Sequence, residues 1–245
     1  MNDLVYGLHA VEALLKHNHD SILELLVMQG RQDPRMEALL GRAGRLNVGH
    51  RTVERSELDE LTTGNHQGIV ALCRPLKLEK SEGFLKNLLA GLDHPPLLLV
   101  LDGVTDPHNL GACLRSAEAA GVDAVIVPKD KSALMTPVAR KVACGAAEIV
   151  PFIVVTNLAR TLKALQQAGV WVLGAAGEAQ QSLYGSDLKG PLALVMGSEG
   201  SGMRRLTREH CDLLFSIPMA GEVSSLNVSV SAGVCLFEAV RQRKS

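Results

Sequence analysis

The chain has 245 residues, of which 47% are hydrophobic and 21% are charged. That composition is typical of a folded protein of one large or two small domains and excludes a disordered or collagen-like chain. The 25 basic residues are balanced by 26 acidic ones, and only 3% of the residues are aromatic. These values disfavour a generic basic nucleic-acid binder and a protein that stacks single-stranded bases on aromatic rings. They favour a soluble enzyme with a small-molecule ligand.

No segment approaches the roughly 18 consecutive apolar residues of a membrane-spanning helix, and residues 1–4 do not resemble the start of a secretion signal. The five cysteines are odd in number and form no C-x-x-C unit. We therefore expect neither a disulfide framework nor a structural zinc site. The sequence predicts a cytoplasmic protein without a metal or a membrane partner.

Residues 1–75 form the first predicted unit, a small α/β domain. Apolar residues at helical spacing predict a helix near 7–15, and an N-cap residue followed by proline predicts another at 33–40. Continuous apolar runs predict strands at 22–28 and 68–72. Residues 76–95 are a candidate linker, which is charged at first, contains a short amphipathic helix at 84–89 and ends at two prolines.

Residues 96–245 form the second predicted unit, in which strands and helices alternate. Near-continuous apolar runs predict strands, and the segments between them predict helices at 112–120, 139–146, 158–168 and 228–243. This alternation is typical of a parallel α/β sheet covered on both faces. Ligands of such sheets bind beyond the carboxyl ends of the strands, so the loops that follow strands are the candidate site. The predicted strands are 97–101, 124–127, 150–154, 170–173, 192–196 and 213–217.

The first such loop, 102–116, leads from a strand into a helix. Asn109 lies near the predicted helix start, where asparagine is a favoured N-cap, and Arg115 follows within the same helix. A helix cap with a surface arginine is one interpretation. The other is that Arg115, between apolar neighbours, pairs with a phosphate, which suits its planar guanidinium.

The second loop, 197–205, reads Gly-Ser-Glu-Gly-Ser-Gly-Met-Arg-Arg. It lacks the lysine of a Walker loop and the spacing of a dinucleotide-binding G-x-G-x-x-G, so an ATPase or a nicotinamide enzyme is disfavoured. Its glycines allow a close backbone approach to a ligand. A tight turn remains the alternative, although Glu199 between glycines is hard to explain as part of a turn.

The third loop, 217–230, follows the last predicted strand and leads into the terminal helix. Ser225 and Asn227 are residues of the N-cap type at the start of that helix.

The three loops, in this order, resemble the three motifs of the SpoU/TrmH branch of the SPOUT RNA methyltransferases. The match rests on Asp-Pro-His-Asn-Leu-Gly at 106–111 with Arg115, Gly-Ser-Glu-Gly at 197–200, and Ser-Leu-Asn-Val-Ser at 225–229. The segments 6–11 and 66–69 resemble the two-domain members of the family, so the resemblance covers nearly the whole chain. It is strongest to bacterial members that methylate a guanosine ribose in the peptidyl-transferase P loop of 23S rRNA.

The resemblance implies an L30e-like RNA-binding domain at 1–75 and a SPOUT domain at 96–245, with a parallel sheet and a deep trefoil knot. It implies S-adenosylmethionine as cofactor, 23S rRNA as substrate and a homodimer with active sites at the subunit interface. By motif, the implied catalytic residues are Asn109, Arg115, Glu199, Ser225 and Asn227. The implied cofactor-binding residues are Ala175, Gly177, Gly197, Ile217, Met219 and Leu226.

The implied reaction is attack of a ribose 2′-oxygen on the methyl group of the cofactor. We interpret Arg115 as a phosphate clamp and oxyanion stabiliser, since a guanidinium stays protonated, and the general base is left open. Clustered cations are candidates for RNA contacts, with a solvated surface as the alternative. They are Lys129, Lys131, Arg140, Lys141, Arg204, Arg205 and Arg208. Methylation of tRNA and a non-catalytic role in ribosome assembly are the alternative functions.

Overall fold

The computed structural model describes residues 3–31, 33–76 and 78–244. Residues 1 and 2, which belong to the segment that does not resemble a secretion signal, lie outside the described residues. The same holds for Lys77 of the predicted linker.

The first unit is a mixed sheet with helices against it. Its strand order is β1-β4-β2-β3, with β4 antiparallel to both neighbours and β3 parallel to β2. The elements are β1 (Asp3–Tyr6), α1 (Leu8–His17), β2 (Ile22–Met28), α2 (Pro34–Arg45), β3 (His50–Val53), α3 (Arg55–Leu61) and β4 (Ile69–Cys73). The sequence predicted α1, α2, β2 and β4, while β1, β3 and α3 were not predicted.

The start of α2 shows why these segments fold as predicted. The Asp33 carboxylate accepts hydrogen bonds from the amides of Arg35 at 3.2 Å and Met36 at 3.1 Å, and Pro34 occupies the first helical position. Both features favour a helix start because they satisfy or remove amides that lack a helical partner.

The second unit contains one parallel sheet. Its order through the described strands is β10-β12-β9-β11-β6-β7-β8-β5, which confirms the prediction of a parallel α/β domain. The strands are β5 (Glu79–Lys80), β6 (Leu97–Asp102), β7 (Ala124–Pro128), β8 (Phe152–Val155), β9 (Trp171–Ala175), β10 (Gln181–Ser182), β11 (Leu192–Gly197) and β12 (Leu213–Ser216). The helices are α4 (Glu82–Gly91), α5 (Pro107–Ala119), α6 (Pro137–Val142), α7 (Leu158–Gln167), α8 (Arg205–Glu209) and α9 (Val228–Arg243).

Part of the predicted linker belongs to this second sheet. Strand β5 pairs with β8, and Leu85 of α4 is buried in the apolar layer on one face of the sheet. The domain boundaries stay a prediction: 1–75, 76–95 and 96–245. The structure adds that β5 and α4, which lie within 76–95, pack on the second unit.

One predicted helix, 139–146, is shorter than expected. Helix α6 ends at Val142 because Cys144 (φ +52°) and Gly145 (φ +96°) adopt left-handed backbone conformations. A Cβ atom on Gly145 would lie 2.4 Å from Cβ of Ala13 in α1. The glycine therefore lets the first unit pack closely against the second.

Strand β6 lies near the middle of the sheet and is buried along its whole length. Since the strands are parallel, their carboxyl ends meet at one edge, where β6, β11, β9 and β12 place their following loops side by side. Strand β12 lies between β9 and β10, although β11, which precedes it in the chain, lies on the other side of β9. The trefoil knot implied by the resemblance stays a prediction.

The structure also bears on the predicted absence of membrane and metal sites. Within the described residues, no helix is long and apolar enough to cross a membrane, and no group of three potential metal-ligating side chains occurs. The five cysteines are free thiols. Burial raises the pKa of four of them to about 12, which makes them poor nucleophiles: Cys73, Cys113, Cys211 and Cys235.

Candidate active site

A cleft of about 500 Å³ lies at the carboxyl ends of β9, β11 and β12. Its walls are the loops that follow these strands, which is where a parallel sheet is expected to bind a ligand. All six residues predicted to bind the cofactor line it: Ala175, Gly177, Gly197, Ile217, Met219 and Leu226.

The glycine loop 197–203 forms one wall of the cleft. Ser198 and Gly202 exchange backbone hydrogen bonds at 3.1 and 3.0 Å, which closes the loop on itself. A Cβ atom on Gly197 would lie 2.2 Å from the backbone of Gly202 and Met203, so only glycine fits there. Gly200 (φ +85°) and Gly202 (φ +67°) supply the left-handed turns. The tight-turn interpretation is thus correct and compatible with a binding role.

The tip of this loop carries Glu199 into a polar cluster that joins all three predicted motifs. Its Oε1 accepts a hydrogen bond from Nδ2 of Asn109 at 3.1 Å and from Nδ2 of Asn227. The backbone amide of Val228 also approaches Oε1, at 3.3 Å. Asn227 Nδ2 donates in addition to Oδ1 of Asn109 at 2.9 Å. One carboxylate oxygen therefore fixes the orientation of two side-chain amides.

The starts of α5 and α9 position the two asparagines. The prediction that Asn109 caps a helix is wrong, because the helix begins two residues earlier at Pro107, with Asp106 as its cap. The Asp106 carboxylate accepts from the His108 amide at 2.9 Å, which leaves Asn109 free to turn toward Glu199.

Asn227 does cap α9, as predicted, since its Oδ1 accepts from the Ser229 amide at 2.9 Å. Its amide nitrogen remains available for the cluster. Ser225 caps no helix. It lines the cleft beside Leu226.

An ion pair between Glu178 and Arg208 borders the cleft, and both side chains line it. Hydrogen bonds from its own backbone amide and from Arg208 lower the pKa of the Glu178 carboxyl. Together with Glu199, these residues are the charged groups of the lining. Arg208 was not predicted as a cleft residue, because its distance from the cleft depends on how α8 packs after the glycine loop.

Arg115 lies outside this cleft. It is exposed, lines a separate cavity of about 540 Å³ with His9, Ala13 and Gly145, and donates to Sγ of Cys144 at 3.7 Å. The structure thus brings Asn109, Glu199, Ser225 and Asn227 together within one chain but leaves Arg115 at the junction of the two units.

Most of the clustered cations predicted as RNA contacts have partners within the protein. Buried Arg140 pairs with Glu148, and Arg205 pairs with Glu209 one helical turn away. Arg204 binds Asp102, and Arg208 binds Glu178. The ammonium group of Lys141 donates to the carbonyl oxygen of Asn65 and lies 5.2 Å from the Tyr6 ring. Five of the seven cations are therefore engaged in contacts within the chain, and their role as RNA contacts stays a prediction.

Comparison with known proteins agrees with this geometry. The profile of the SpoU rRNA methylase family matches residues 96–237, and that of the RNA 2′-O ribose methyltransferase substrate-binding domain matches residues 4–79. The chain is 60% identical over 240 residues to the 23S rRNA (guanosine-2′-O-)-methyltransferase RlmB of Pseudomonas putida, which covers 98% of this chain and 96% of the relative. It is 60% identical over 245 residues to the protein of the same name from Haemophilus influenzae, covering 99% of both chains.

Solved structures show the same fold. The crystal structure of an RNA 2′-O ribose methyltransferase superposes with a TM-score of 0.83 at 29% identity, over 100% of this chain and 90% of that one. The SpoU methyltransferase AviRb from Streptomyces viridochromogenes, solved with the cofactor AdoMet, gives a TM-score of 0.78 at 24% identity, over 99% and 91% of the two chains. On the family match, the full-length relatives and the three motif loops that meet at one cleft, the chain belongs to the SpoU rRNA methylase family.

Proposed function

We propose that this chain transfers a methyl group from S-adenosylmethionine to the 2′-oxygen of a guanosine ribose in 23S rRNA. The two relatives that share about 60% of its sequence bear the name of this activity. The observation that carries the proposal is the Asn109–Glu199–Asn227 cluster beside the cleft. Family membership supports methyl transfer, while the full-length match to the rRNA enzymes supports the 23S substrate over tRNA.

The cleft fits S-adenosylmethionine in size and in chemistry. A volume of about 500 Å³ lies within the range of small-molecule sites. Apolar side chains such as Phe215, Ile217 and Leu226 suit an adenine ring, while Glu199 and Glu178 offer negative charge to a cationic ligand. Gly177 and Gly197 expose backbone for close contacts. When bound, the cofactor supplies an electrophilic methyl group on a sulfonium.

The residues of the chain position the reacting groups. Glu199 holds the amides of Asn109 and Asn227 in fixed orientations, so that neither reorganises when the substrate arrives. All of these hydrogen bonds end on one carboxylate oxygen, Oε1, which favours a positioning role for that oxygen over proton abstraction. The cluster lies in contact with the cleft through Glu199, so an incoming ribose would meet preoriented donors there.

We further propose that the active form is a homodimer. Helix α9 exposes Val230 and Phe237, each about half exposed, two turns apart on the face opposite its buried residues. Such a paired apolar surface is typical of an interface between two copies. Since Arg115 lies outside the cleft of its own chain, we propose that it serves the site of the second copy. Because its proposed substrate is rRNA, we also propose a cytoplasmic location.

A direct assay tests the function. The purified protein is incubated with labelled S-adenosylmethionine and separate 23S rRNA, 16S rRNA and tRNA transcripts, and nuclease digests are analysed by mass spectrometry for 2′-O-methylguanosine. We expect one modified guanosine in 23S rRNA, in the P loop, with no product from Asn109→Ala. Product on tRNA alone would contradict the substrate, and RNA binding without any cofactor affinity would indicate a non-catalytic assembly factor.

A further inference from the structure

We propose that Asp102 and Arg204 form a positioning pair that holds the glycine loop 197–203, and with it Glu199, in its binding conformation. Neither residue belongs to the Asn109–Glu199–Asn227 cluster. Both lie in the predicted loops, but neither was predicted as a catalytic or cofactor-binding residue, and Arg204 was predicted only as a candidate RNA contact. The inference rests on the proposed function only in naming S-adenosylmethionine as the ligand of the cleft.

The contacts between the two residues are unusually complete. Asp102 is fully buried, and its Oδ2 accepts from the backbone amide of Arg204 at 2.8 Å. Its Oδ1 accepts from Nε of Arg204 at 2.6 Å and pairs with Nη2 at 2.5 Å. Backbone and side chain of one residue are thus bound by the two oxygens of one carboxylate, which fixes Arg204 in both position and direction.

The position of Asp102 in the sheet explains why this contact can fix the glycine loop. In the pairing of β6 with β11, Asp102 lies opposite Gly197, the residue at which the glycine loop begins. Arg204 directly follows the last residue of the same loop. Asp102 therefore contacts both ends of the loop: it pairs in the sheet with the residue at which the loop begins, and it binds the residue that follows the loop.

Apart from this contact, the loop is held from outside through Glu199, which accepts from Asn109 and Asn227. Its internal contacts are the Ser198–Gly202 bridge and hydrogen bonds of the Ser198 hydroxyl with the Ser201 hydroxyl and the Gly202 carbonyl oxygen. Glycine-rich segments lose much conformational entropy when they are ordered. The contact of Asp102 with Arg204 reduces the entropy lost on ligand binding, because the loop already has its closed conformation before the ligand binds.

A buried ion pair is by itself weak support for a stabilising role, because the desolvation of its charges offsets their attraction. Because the pair connects two motif loops, we infer that it fixes the position of one loop relative to the other. The Arg204 side chain is 44% exposed, and the bond from its backbone amide to Asp102 is retained when the side chain is shortened. Arg204→Ala leaves Oδ1 of the buried Asp102 carboxylate without its cation, so a loss of thermal stability is expected. The side-chain contribution to loop order is therefore tested at a temperature at which thermal unfolding shows the variant to be folded.

The test uses Arg204→Ala, Arg204→Lys and the matched control Arg160→Ala. Arg160 is also an exposed arginine paired with a carboxylate, Glu82, but it lies on α7 away from the cleft. Two measurements are made on the full chain: amide hydrogen exchange of residues 197–203 without ligand, and calorimetric affinity for S-adenosylmethionine. Thermal unfolding is recorded for each variant.

We expect Arg204→Ala to accelerate exchange in 197–203 at least tenfold and to raise the Kd for S-adenosylmethionine at least fivefold. Arg204→Lys should recover part of both effects, and Arg160→Ala should change neither by more than twofold. Unchanged exchange in Arg204→Ala would overturn the inference, as would faster exchange with an unchanged Kd. A Kd that rises equally in Arg204→Ala and Arg160→Ala, with equal loss of thermal stability, would also overturn it.

The two proposals fail in distinguishable ways. If the unmodified protein does not bind S-adenosylmethionine, the proposed function fails, while the exchange comparison still decides whether Asp102 and Arg204 order the loop. If the protein binds the cofactor and Arg204→Ala leaves exchange and affinity unchanged, only the positioning role is lost.

Discussion

The side-chain amide of Asn109 donates to Oε1 of Glu199 at 3.1 Å, although the two residues are 90 positions apart in the sequence. Asn227 approaches the same oxygen from a third loop. Their meeting point depends on β6 and β11 being adjacent in the sheet, since α5 follows the first strand and the glycine loop follows the second. The catalytic chemistry that we propose depends on this adjacency.

The charge of Glu199 is expected to matter more than its shape. Glu199→Gln keeps an oxygen that accepts from both asparagines but removes the charge, which weakens the hydrogen bonds by roughly 1–2 kcal/mol in total. We expect the single-turnover rate of methyl transfer to fall about tenfold, with a melting temperature lowered by only a few degrees. The control Glu209→Gln alters an exposed carboxylate on α8. Equal rates in both variants would remove Glu199 from the site.

Asn227 combines a structural and a functional role, and two substitutions separate them. Asn227→Ala removes the N-cap of α9 and should cost about 0.5–2 kcal/mol of unfolding free energy. Asn227→Ser keeps a capping oxygen but loses the amide that contacts Glu199, so stability should be retained while turnover falls. Denaturant unfolding and methyl-transfer assays measure the two properties. Full activity of Asn227→Ser would show that the contact with Glu199 is dispensable.

Gly197 is expected to tolerate no side chain. In Gly197→Ala the added Cβ would meet the backbone of Gly202 and Met203 at 2.2 Å, so the loop must move, at a cost of about 1–3 kcal/mol. Cofactor affinity should be lost, as measured by calorimetry. Gly190→Ala is the matched control, because a Cβ atom there has no neighbour within 4 Å. Normal binding by Gly197→Ala would contradict the described shape of the loop.

Arg115 gives a test of the proposed dimer. Arg115→Ala should abolish turnover but keep cofactor affinity, because the side chain lies outside the cleft. If each arginine serves the other copy, mixing inactive Arg115→Ala with inactive Asn109→Ala should restore about a quarter of the activity, since half of the dimers carry one intact site. Rate measurements after subunit exchange decide the matter. If subunit exchange is verified and no activity returns, Arg115 acts in the site of its own chain.

The sequence alone could predict most of the second unit. Continuous apolar runs identified the strands of its buried centre because parallel strands covered on both faces need apolar residues throughout. Helix α9 was predicted with its observed bounds, 228–243, and its cap Asn227, since capping depends on residues adjacent in sequence. Polar or short strands such as β3 and β10 carried no such pattern and were not predicted.

The tertiary structure decided what the polar residues do. Asn109 was predicted as a cap, but Asp106 takes that position, and the asparagine instead meets Glu199. Arg115 and Asn109 lie in one helix, yet they line different parts of the surface.

The charge balance illustrates the same division. The nearly equal number of acidic and basic residues already argued against an open basic surface. It could not show which charges pair, because ion pairs such as Asp102 with Arg204 join segments 102 residues apart. Local patterns fix helices, strands and caps, while the order and register of the strands determine which distant side chains meet.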